Sequence, residues 1–393
     1  ADWNDGLDMA RERGESVAMM SLYGGNFLAL ADLLEDFSSA SGTKDIYLAA
    51  EVKALLDSLT GISVDYDDPQ AKRKFLFETY FSSVQPSISG EREEVPVKGI
   101  AEDLRRKGNW IFEHIRTNEM VAVEHEGRKD HWFNGYYDNK GKRVEGLDDD
   151  HVRMTLIGQV FPVMSGLARY EEIESVVEAV GTHLRDGPSG GLRLNTDFHL
   201  AHYLDLGRAF GFAYGTKENG AFFNHMTVMY AYALYKRGFV REGYAALDAI
   251  YRMCADARRG KIYPGIPEYF DLEGRGRYHY LTGSASWMVL LKLTEAFGVR
   301  GEKGDLRIAP KLVKEEFDPR TGVAAVTSRF AGKKVIVTYK NARKLDYGAY
   351  RIVKVFLNGD LVALDEGHAH AVTIPRGAIE DTPLECTIKL VLG

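Results

Sequence analysis

Apolar residues recur every three or four positions through most of the first 300 residues of this chain. This spacing predicts helices over residues 14–37, 45–59, 102–118, 151–168, 170–184, 221–237, 241–257 and 282–297. Residues 61–98 interrupt the pattern with turn signals such as Pro86, Ser89-Gly90 and Pro96, so we interpret them as an inserted loop with partial helix. A second break, rich in glycine, falls at residues 187–191. The region up to about residue 300 is therefore predicted to be mainly helical.

After about residue 300 the pattern changes to an alternation of apolar and polar positions. The clearest runs are residues 334–339 and 350–356, and Asn358-Gly359 directly after the second run predicts a β-hairpin. Another hairpin or turn is predicted at residues 132–141. The sequence thus predicts a helical domain over residues 1–300 and an all-β domain over residues 301–393.

Composition describes an ordered globular protein and excludes several classes of partner. The chain has 393 residues, 45% of them hydrophobic, and a net charge of −7, which argues against nucleic acid or an anionic membrane as the main partner. Its two cysteines, Cys254 and Cys386, lie far apart, so neither a disulfide framework nor a zinc site is predicted. We expect a cytoplasmic location, and we expect no apolar run of the roughly 18–20 residues needed to cross a bilayer.

The first residues of the chain carry the strongest candidate for sugar chemistry. Asp2 and Asp5 flank Trp3-Asn4, and Gly6 ends the turn. A carboxylic acid can protonate a glycosidic oxygen, and an indole ring can stack on a pyranose ring. On the residues alone, a loop that caps the following helix is the simpler interpretation.

Two later loops place polar groups where helices are predicted to begin. Lys217-Glu218-Asn219-Gly220 leads to His225, and Thr282-Gly283-Ser284 precedes an apolar run. Backbone N–H groups and hydroxyls at a helix N-terminus can bind an anion, although ordinary capping and a core histidine remain the simpler alternatives. His199 and His202 share a helical spacing, but no third ligand is evident and no metal site is predicted.

Three segments of this sequence together resemble glycoside hydrolase family 94, the inverting β-glucoside phosphorylases. They are ADWNDGL with RGESV in residues 1–17, KENGAFFNH at 217–225 and YLTGSASW at 280–287. The resemblance implies a mainly α fold: the later part of an (α/α)6 barrel followed by a small C-terminal all-β domain. The upstream parts of that family have no counterpart here, so we expect an N-terminal portion of the same protein to complete the barrel. A homo-oligomer is a further expectation.

The resemblance also implies a role for each candidate residue. Asp5 corresponds to the general acid, with Asp2 as its rival. Phosphate would be bound by His225, Thr282 and Gly283, and the donor sugar by Trp3, Lys217, Glu218 and Glu268. Glu268 departs from the family, which often has Gln at this position. Arg208 is a further candidate, for the acceptor side of the cleft.

The implied function is inverting phosphorolysis of β-linked glucooligosaccharides to α-glucose 1-phosphate and a shortened acceptor. Inorganic phosphate would be the co-substrate, with no cofactor and no metal. The length of chain after Asp5 and the insertion at 61–98 favour β-1,2-linked substrates, with cellobiose-type substrates as an alternative. An inverting glycoside hydrolase and a non-catalytic carbohydrate-binding fragment also remain open.

Overall fold

The computed structural model describes residues 5–199, 203–262, 265–279, 282–364 and 369–393. The α-helices in these residues are α1 (Val17–Ser41), α2 (Ala50–Lys53), α3 (Asp57–Thr60), α4 (Pro69–Phe75), α5 (Val97–Asn118), α6 (Ile157–Ser165), α7 (Tyr170–His183), α8 (Asn224–Lys236), α9 (Val240–Ala255), α10 (Ala257–Gly260), α11 (Gly283–Leu291) and α12 (Arg376–Glu380). Short π-helical turns at Leu76–Phe81 and Lys292–Ala296 extend α4 and α11, and 3-10 turns lie at Arg208–Gly211 and Lys314–Glu316.

The strands form several small sheets. They are β1 (Glu15–Ser16), β2 (Asp45–Ala49), β3 (Arg92–Pro96), β4 (Met120–His125), β5 (Arg128–Phe133), β6 (Tyr136–Tyr137), β7 (Gly146–Asp148), β8 (His151–Arg153), β9 (Phe222–Phe223), β10 (Tyr269–Phe270), β11 (Gly276–Arg277), β12 (Val299–Glu302), β13 (Asp305–Ile308), β14 (Val323–Phe330), β15 (Lys333–Lys340), β16 (Ile352–Leu357), β17 (Asp360–Val362), β18 (Val372–Ile374) and β19 (Glu385–Leu392).

Most of the predicted helices are present, and α1 shows how local sequence sets their ends. Ser16 is its N-cap and accepts a hydrogen bond from the Met19 backbone N–H at 3.1 Å. Gly42 ends the helix with a φ of +74°, a conformation that glycine adopts without steric cost. The apolar spacing therefore placed this helix correctly, to within a few residues at each end.

Two of the predicted helices begin as strands instead. The prediction over residues 45–59 is wrong, because β2 pairs antiparallel with β3 and only the short helices α2 and α3 follow. Likewise, residues 151–153 form β8, which pairs with β7 ahead of α6. In both places a nearby strand supplies backbone hydrogen bonds, and this tertiary pairing overrides the local apolar spacing.

Helix α1 packs closely against α5 and α6 through glycines. A Cβ on Gly24 would lie 2.9 Å from Ile111 Cγ2, and a Cβ on Gly108 would lie 2.9 Å from the Gly24 carbonyl oxygen. On the neighbouring face, a Cβ on Gly25 would lie 2.8 Å from the Ser165 side chain. These glycines allow the helix backbones to approach more closely than any other residue would permit.

The opposite side of α1 is apolar and exposed. Its residues, which we call the α1 stripe, are Tyr23, Leu30, Leu33 and Phe37. By length and composition α1 is the one helix in the described part of the chain that could cross a bilayer, contrary to the expectation from the sequence. A single helix of this kind is weak support for a membrane span, because a core helix has the same composition, and the glycine contacts above are those of a core helix.

The C-terminal part of the chain is a β structure, as predicted. A five-stranded sheet has the order β14-β15-β19-β16-β17, and a three-stranded sheet has the order β12-β13-β18. The predicted hairpin at Asn358-Gly359 joins β16 to β17, and both turn residues have positive φ. A helical region followed by β structure is thus confirmed, whereas closure of the helices into a barrel stays a prediction.

The helical and β parts share one hydrophobic core. A single cluster of buried side chains includes Ile157 and Leu234 from the helices and Val337 and Leu390 from the large sheet. Across the same junction, the Arg241 guanidinium pairs with Glu315 at 2.8 Å. The β sheets therefore pack against the helices that carry the candidate site.

Candidate active site

A three-stranded sheet, β11-β10-β9, brings two of the predicted loops together. Glu268 directly precedes β10, and its backbone N–H donates to the Arg277 and Tyr278 carbonyl oxygens at 3.1 and 3.0 Å. The Glu268 carbonyl oxygen accepts a hydrogen bond from the Asn224 N–H at 2.9 Å. Because Asn224 is the first residue of α8, Glu268 lies beside the helix start that carries His225.

The three predicted phosphate-binding residues lie together. A Cβ on Gly283 would be 2.3 Å from His225 Cε1, so the imidazole ring lies directly against the first residue of α11. Thr282 caps that helix by accepting a hydrogen bond from the Ser284 N–H at 3.1 Å. Burial lowers the pKa of His225, which favours a neutral imidazole beside the positive end of the helix dipole.

Lys217 and Glu218 are held on a tight loop. Asn195 fixes this loop by donating to Asn219 Oδ1 at 3.0 Å and by accepting from the Gly220 N–H at 2.8 Å. The Lys217 ammonium lies 5.2 Å from the centre of the Tyr278 ring, and its hydrogen bond to Tyr278 raises the pKa of Lys217. The loop therefore presents a cation against an aromatic wall.

Glu218 links this loop to the candidate acid. Burial is the main cause that raises the pKa of Glu218, and the nearby carboxylates of Glu268 and Asp5 raise it further. Asp5, Glu218 and Glu268 thus share one electrostatic environment.

The loop that carries Asp5 lies against a segment 200 residues further along the chain. A Cβ on Gly207 would be 2.1 Å from the Asp5 carbonyl oxygen, and the Met9 N–H donates to the Leu206 carbonyl oxygen at 3.0 Å. Directly after Gly207, the Arg208 guanidinium pairs with the Asp5 carboxylate. The candidate acid is therefore held by both the backbone and a cation of the same distant segment.

The predicted turn at residues 132–141 supports this contact. Asn139 Oδ1 accepts from the Glu12 N–H at 2.8 Å, while the Asn139 N–H donates to the Asp205 carbonyl oxygen at 2.7 Å. Lys140 also pairs with the Asp205 carboxylate at 2.6 Å. The turn thus bridges the loop of Asp5 and the segment of Arg208.

Sequence reasoning missed two side chains at this site and named two that the structure does not describe. Nothing local in the sequence distinguished Asp8, which pairs with Arg208, or Tyr278, which contacts Lys217. Trp3 and the rival acid Asp2 lie outside the described residues, as does His202.

Comparison with known proteins finds similarity to enzymes that act on glucosides. Residues 109–298 match the family model described as the glycosyl hydrolase 94 superfamily, catalytic domain, a range that contains His225, Thr282 and Gly283 but not Asp5. A cellobionic acid phosphorylase from Neurospora crassa is 25% identical over 191 residues, which cover 43% of this chain and 24% of that protein. A solabiose phosphorylase from Paenibacillus borealis is 23% identical over 300 residues, which cover 72% of this chain and 36% of that protein.

A third relative is larger still. A cyclic β-(1,2)-glucan synthase from Rhizobium meliloti is 24% identical over 234 residues, which cover 57% of this chain and 8% of that protein. The chain therefore matches about a quarter to a third of the length of the two phosphorylases, and less of the synthase.

Proposed function

Because residues 109–298 match the catalytic-domain model of the glycosyl hydrolase 94 superfamily and two similar proteins are phosphorylases, we propose that this chain belongs to glycoside hydrolase family 94 and acts in the inverting phosphorolysis of β-linked glucosides. The products would be α-glucose 1-phosphate and an acceptor shortened by one glucose. The observation that carries this proposal is the contact of His225 with Gly283 beneath the Thr282 cap. Together they offer an imidazole, a hydroxyl and helix N-terminal N–H groups to one anion.

The reaction needs one acid and one nucleophile. Asp5 donates its proton to the glycosidic oxygen as the bond from that oxygen to the anomeric carbon breaks. Phosphate, bound at His225, Thr282 and Gly283, forms the new bond from the opposite face and inverts the anomeric configuration. An inverting hydrolase requires a second carboxylate to activate water, whereas phosphate is already a nucleophile.

The donor glucose would be held by the residues around Asp5. Lys217, Glu218 and Glu268 offer charged hydrogen-bonding groups on the loops described above, and Trp3, two positions before Asp5 in the sequence, would offer an indole ring for stacking. A donor sugar at this position would place its anomeric carbon between the acid and the phosphate.

For the finer substrate, we propose β-1,2-linked glucooligosaccharides in preference to cellobiose-type substrates. Two observations support this choice: one relative is a cyclic β-(1,2)-glucan synthase, and residues 42–96 form an additional structure beside α5. We further propose that an N-terminal portion of the same protein completes the helical domain. The exposed α1 stripe and the greater length of the relatives support that partner.

The direct test follows glucose 1-phosphate release from cellobiose and from β-1,2-glucooligosaccharides, with and without inorganic phosphate. We expect release that depends on phosphate and is faster with the β-1,2-linked substrate. Free glucose formed equally well without phosphate would instead indicate a hydrolase, for which Glu218 and Glu268 would supply the second carboxylate. Binding of oligosaccharide without any turnover would support the non-catalytic alternative.

A substitution at the acid tests its assigned role. Asp5→Asn preserves side-chain shape but removes the transferable proton, so we expect kcat to fall by about 10²–10⁴-fold. The melting temperature should change little, because Asp5 is partly exposed. Near-normal turnover in a folded Asp5→Asn protein would remove Asp5 from this role.

A further inference from the structure

The cation beside the candidate acid is shared between two carboxylates. Arg208 pairs with Asp5, and its Nε atom lies 3.7 Å from Asp8 Oδ2. The other oxygen of Asp8 accepts a hydrogen bond from the Arg208 backbone N–H at 2.7 Å. Asp8 is thus fixed to the backbone of Arg208 while it also faces the guanidinium.

This group lies where an incoming sugar can reach it. The Arg208 side chain is 66% exposed and that of Asp8 is 28% exposed. The hydrogen bond to Asp5 is the main cause that raises the pKa of Arg208, so the guanidinium stays charged. The proposed donor residues Lys217, Glu218 and Glu268 lie on other loops, so an acceptor sugar beside Asp5 would meet the segment of Arg208.

Asp8 supplies a second carboxylate within ion-pair distance of Arg208. During phosphorolysis Asp5 must hold a proton before it can donate it, and a protonated carboxyl no longer neutralises a guanidinium. Asp8 then remains as the carboxylate that pairs with Arg208. Glu218 also acts on Arg208 at longer range, but among the described residues Asp8 is the one carboxylate besides Asp5 within ion-pair distance of the guanidinium.

We propose that the acceptor subsite of this enzyme is built for a neutral sugar, and that Asp8 enforces this choice by neutralising Arg208. This inference rests on the proposed phosphorolysis. An acceptor with a carboxylate, such as an aldonic or uronic acid, would meet a guanidinium whose charge is already compensated and would be repelled by Asp8. A neutral glucoside would not be repelled by Asp8 and could hydrogen-bond to the exposed guanidinium N–H groups.

The prediction sets this chain apart from one of its relatives. A cellobionic acid phosphorylase, by its name, acts on a substrate that carries a carboxylate. A guanidinium with no second anion would suit such a substrate, because Arg binds carboxylates in a bidentate manner. In this chain Asp8 already supplies the second anion beside the guanidinium.

The test uses synthesis from α-glucose 1-phosphate with two acceptors that differ only at C6, glucose and glucuronate. It is made with this chain and with any longer natural protein that contains it. For the wild type we expect kcat/KM to favour glucose. Asp8→Asn keeps an oxygen to accept from the Arg208 N–H but removes the charge, so the preference for glucose should fall by about fivefold, as expected for exposed charges.

Asp205→Asn is the matched control, because it removes a carboxylate that pairs with Lys140 instead of Arg208. Its acceptor preference should equal that of the wild type. A merely structural role for Asp8 would lower kcat/KM for both acceptors alike and leave their ratio unchanged. That result, or equal use of glucose and glucuronate by the wild type, would overturn the proposal.

A binding measurement separates this proposal from the proposed reaction. Calorimetry with cellobiose and cellobionate requires no turnover. We expect the wild type to bind cellobiose more tightly than cellobionate. In Asp8→Asn this difference in affinity should be smaller. If binding behaves in this way but no phosphate-dependent turnover occurs, the proposed phosphorolysis fails and the assignment of Asp8 stands. An equal decrease of this affinity difference in Asp205→Asn would refute the role assigned to Asp8.

Discussion

Gly283 shows how a single residue can fix the geometry of a binding site. The His225 ring occupies the space that any side chain at position 283 would need. Since Gly283 also begins α11, its backbone lies in the first turn, whose N–H groups have no partner within the helix. The glycine therefore permits a contact between an imidazole and a helix N-terminus.

We predict that Gly283→Ala weakens phosphate binding. The added methyl group would displace His225, and a misplacement of about 1 Å can cost up to about 10²-fold. The KM for phosphate should rise at least about tenfold in steady-state kinetics. Gly377→Ala makes the same change in the first turn of α12, with no atom within 4 Å of the new Cβ, and should leave this KM unaltered.

Glu145 is a buried acid that the reaction does not use. Its carboxyl oxygens accept hydrogen bonds from the Gly135 and Thr155 N–H groups at 3.0 and 3.1 Å, which tie these two segments together. Burial nevertheless raises the pKa of Glu145 to about 8, from an ordinary value of 4.5.

This shift predicts a specific dependence of stability on pH. Between about pH 4.5 and 8 the folded protein retains a proton that the unfolded chain has released, so the free energy of unfolding falls as pH rises. The slope from this group is up to about 1.4 kcal/mol per pH unit. The melting temperature of the wild type minus that of Glu145→Gln should therefore decrease from pH 5 to pH 8 and then level off. A difference independent of pH would contradict the assignment.

Contacts between residues far apart in the sequence could not be predicted from local motifs. Asp5, Lys217, His225 and Thr282 were identified because they fall in short motifs. The pairing of Asp5 with Arg208 joins positions 203 residues apart, and no local pattern reports such a contact. Asp8 was missed for the same reason.

At the scale of elements, the contact between α1 and α5 depends on small residues. Gly24 and Gly108 face each other, and a Cβ on Gly108 would also lie 2.8 Å from Leu28 Cγ. The apolar spacing predicted both helices, whereas their closeness follows from which glycines meet. The helix that follows the loop of Asp5 is thereby fixed to the rest of the domain.

We predict that Gly108→Ala is destabilising even though alanine favours helix. The methyl group would press on the Gly24 carbonyl oxygen, and such overpacking costs about 1–3 kcal/mol. Chemical denaturation should show a lower free energy of unfolding. Gly181→Ala in α7 has no atom within 4 Å of its new Cβ, so it should instead gain about 0.5–1 kcal/mol. Stabilisation by both changes would contradict close packing of α1 on α5.

The incorrect prediction of a helix over residues 45–59 is also explained by how secondary-structure elements pair. Ile46 and Tyr47 are residues that favour strands, and β3 pairs with them from more than 40 residues away. Of the alanines and leucines that suggested a helix, Leu48 and Ala49 belong to β2 itself, and the others occupy α2, α3 and the residues between them.

At the scale of the whole molecule, the α1 stripe is the surface that most needs a partner. Successive members lie three, four or seven residues apart, which is the pattern of a helix face that packs against another helix. The opposite face of α1 is already buried against α5 and α6. We therefore expect the proposed N-terminal portion to cover the stripe.

This expectation can be tested by placing charge on the stripe. The double variant Leu30→Glu with Leu33→Glu should leave the stability of this chain alone almost unchanged, because both side chains are exposed. In a longer natural protein that covers the stripe, burying these unpaired charges should cost at least about 2 kcal/mol. Leu361→Glu, at an exposed position in β17, should be neutral in both. Equal tolerance of the double variant in the two proteins would exclude this covering.

The sequence by itself determined the order of helical and β regions, the hairpin at Asn358-Gly359 and the motif residues of the site. These features depend on neighbours within a few positions, where periodicity, turn chemistry and motif spacing act. Only the tertiary structure decided that Arg208 and Asp8 share the charge beside Asp5, that His225 lies on Gly283 and that residues 45–49 form a strand. Each of these is a contact between distant segments, and its free energy comes from burial, charge pairing or backbone hydrogen bonds that exist only once the chain has folded.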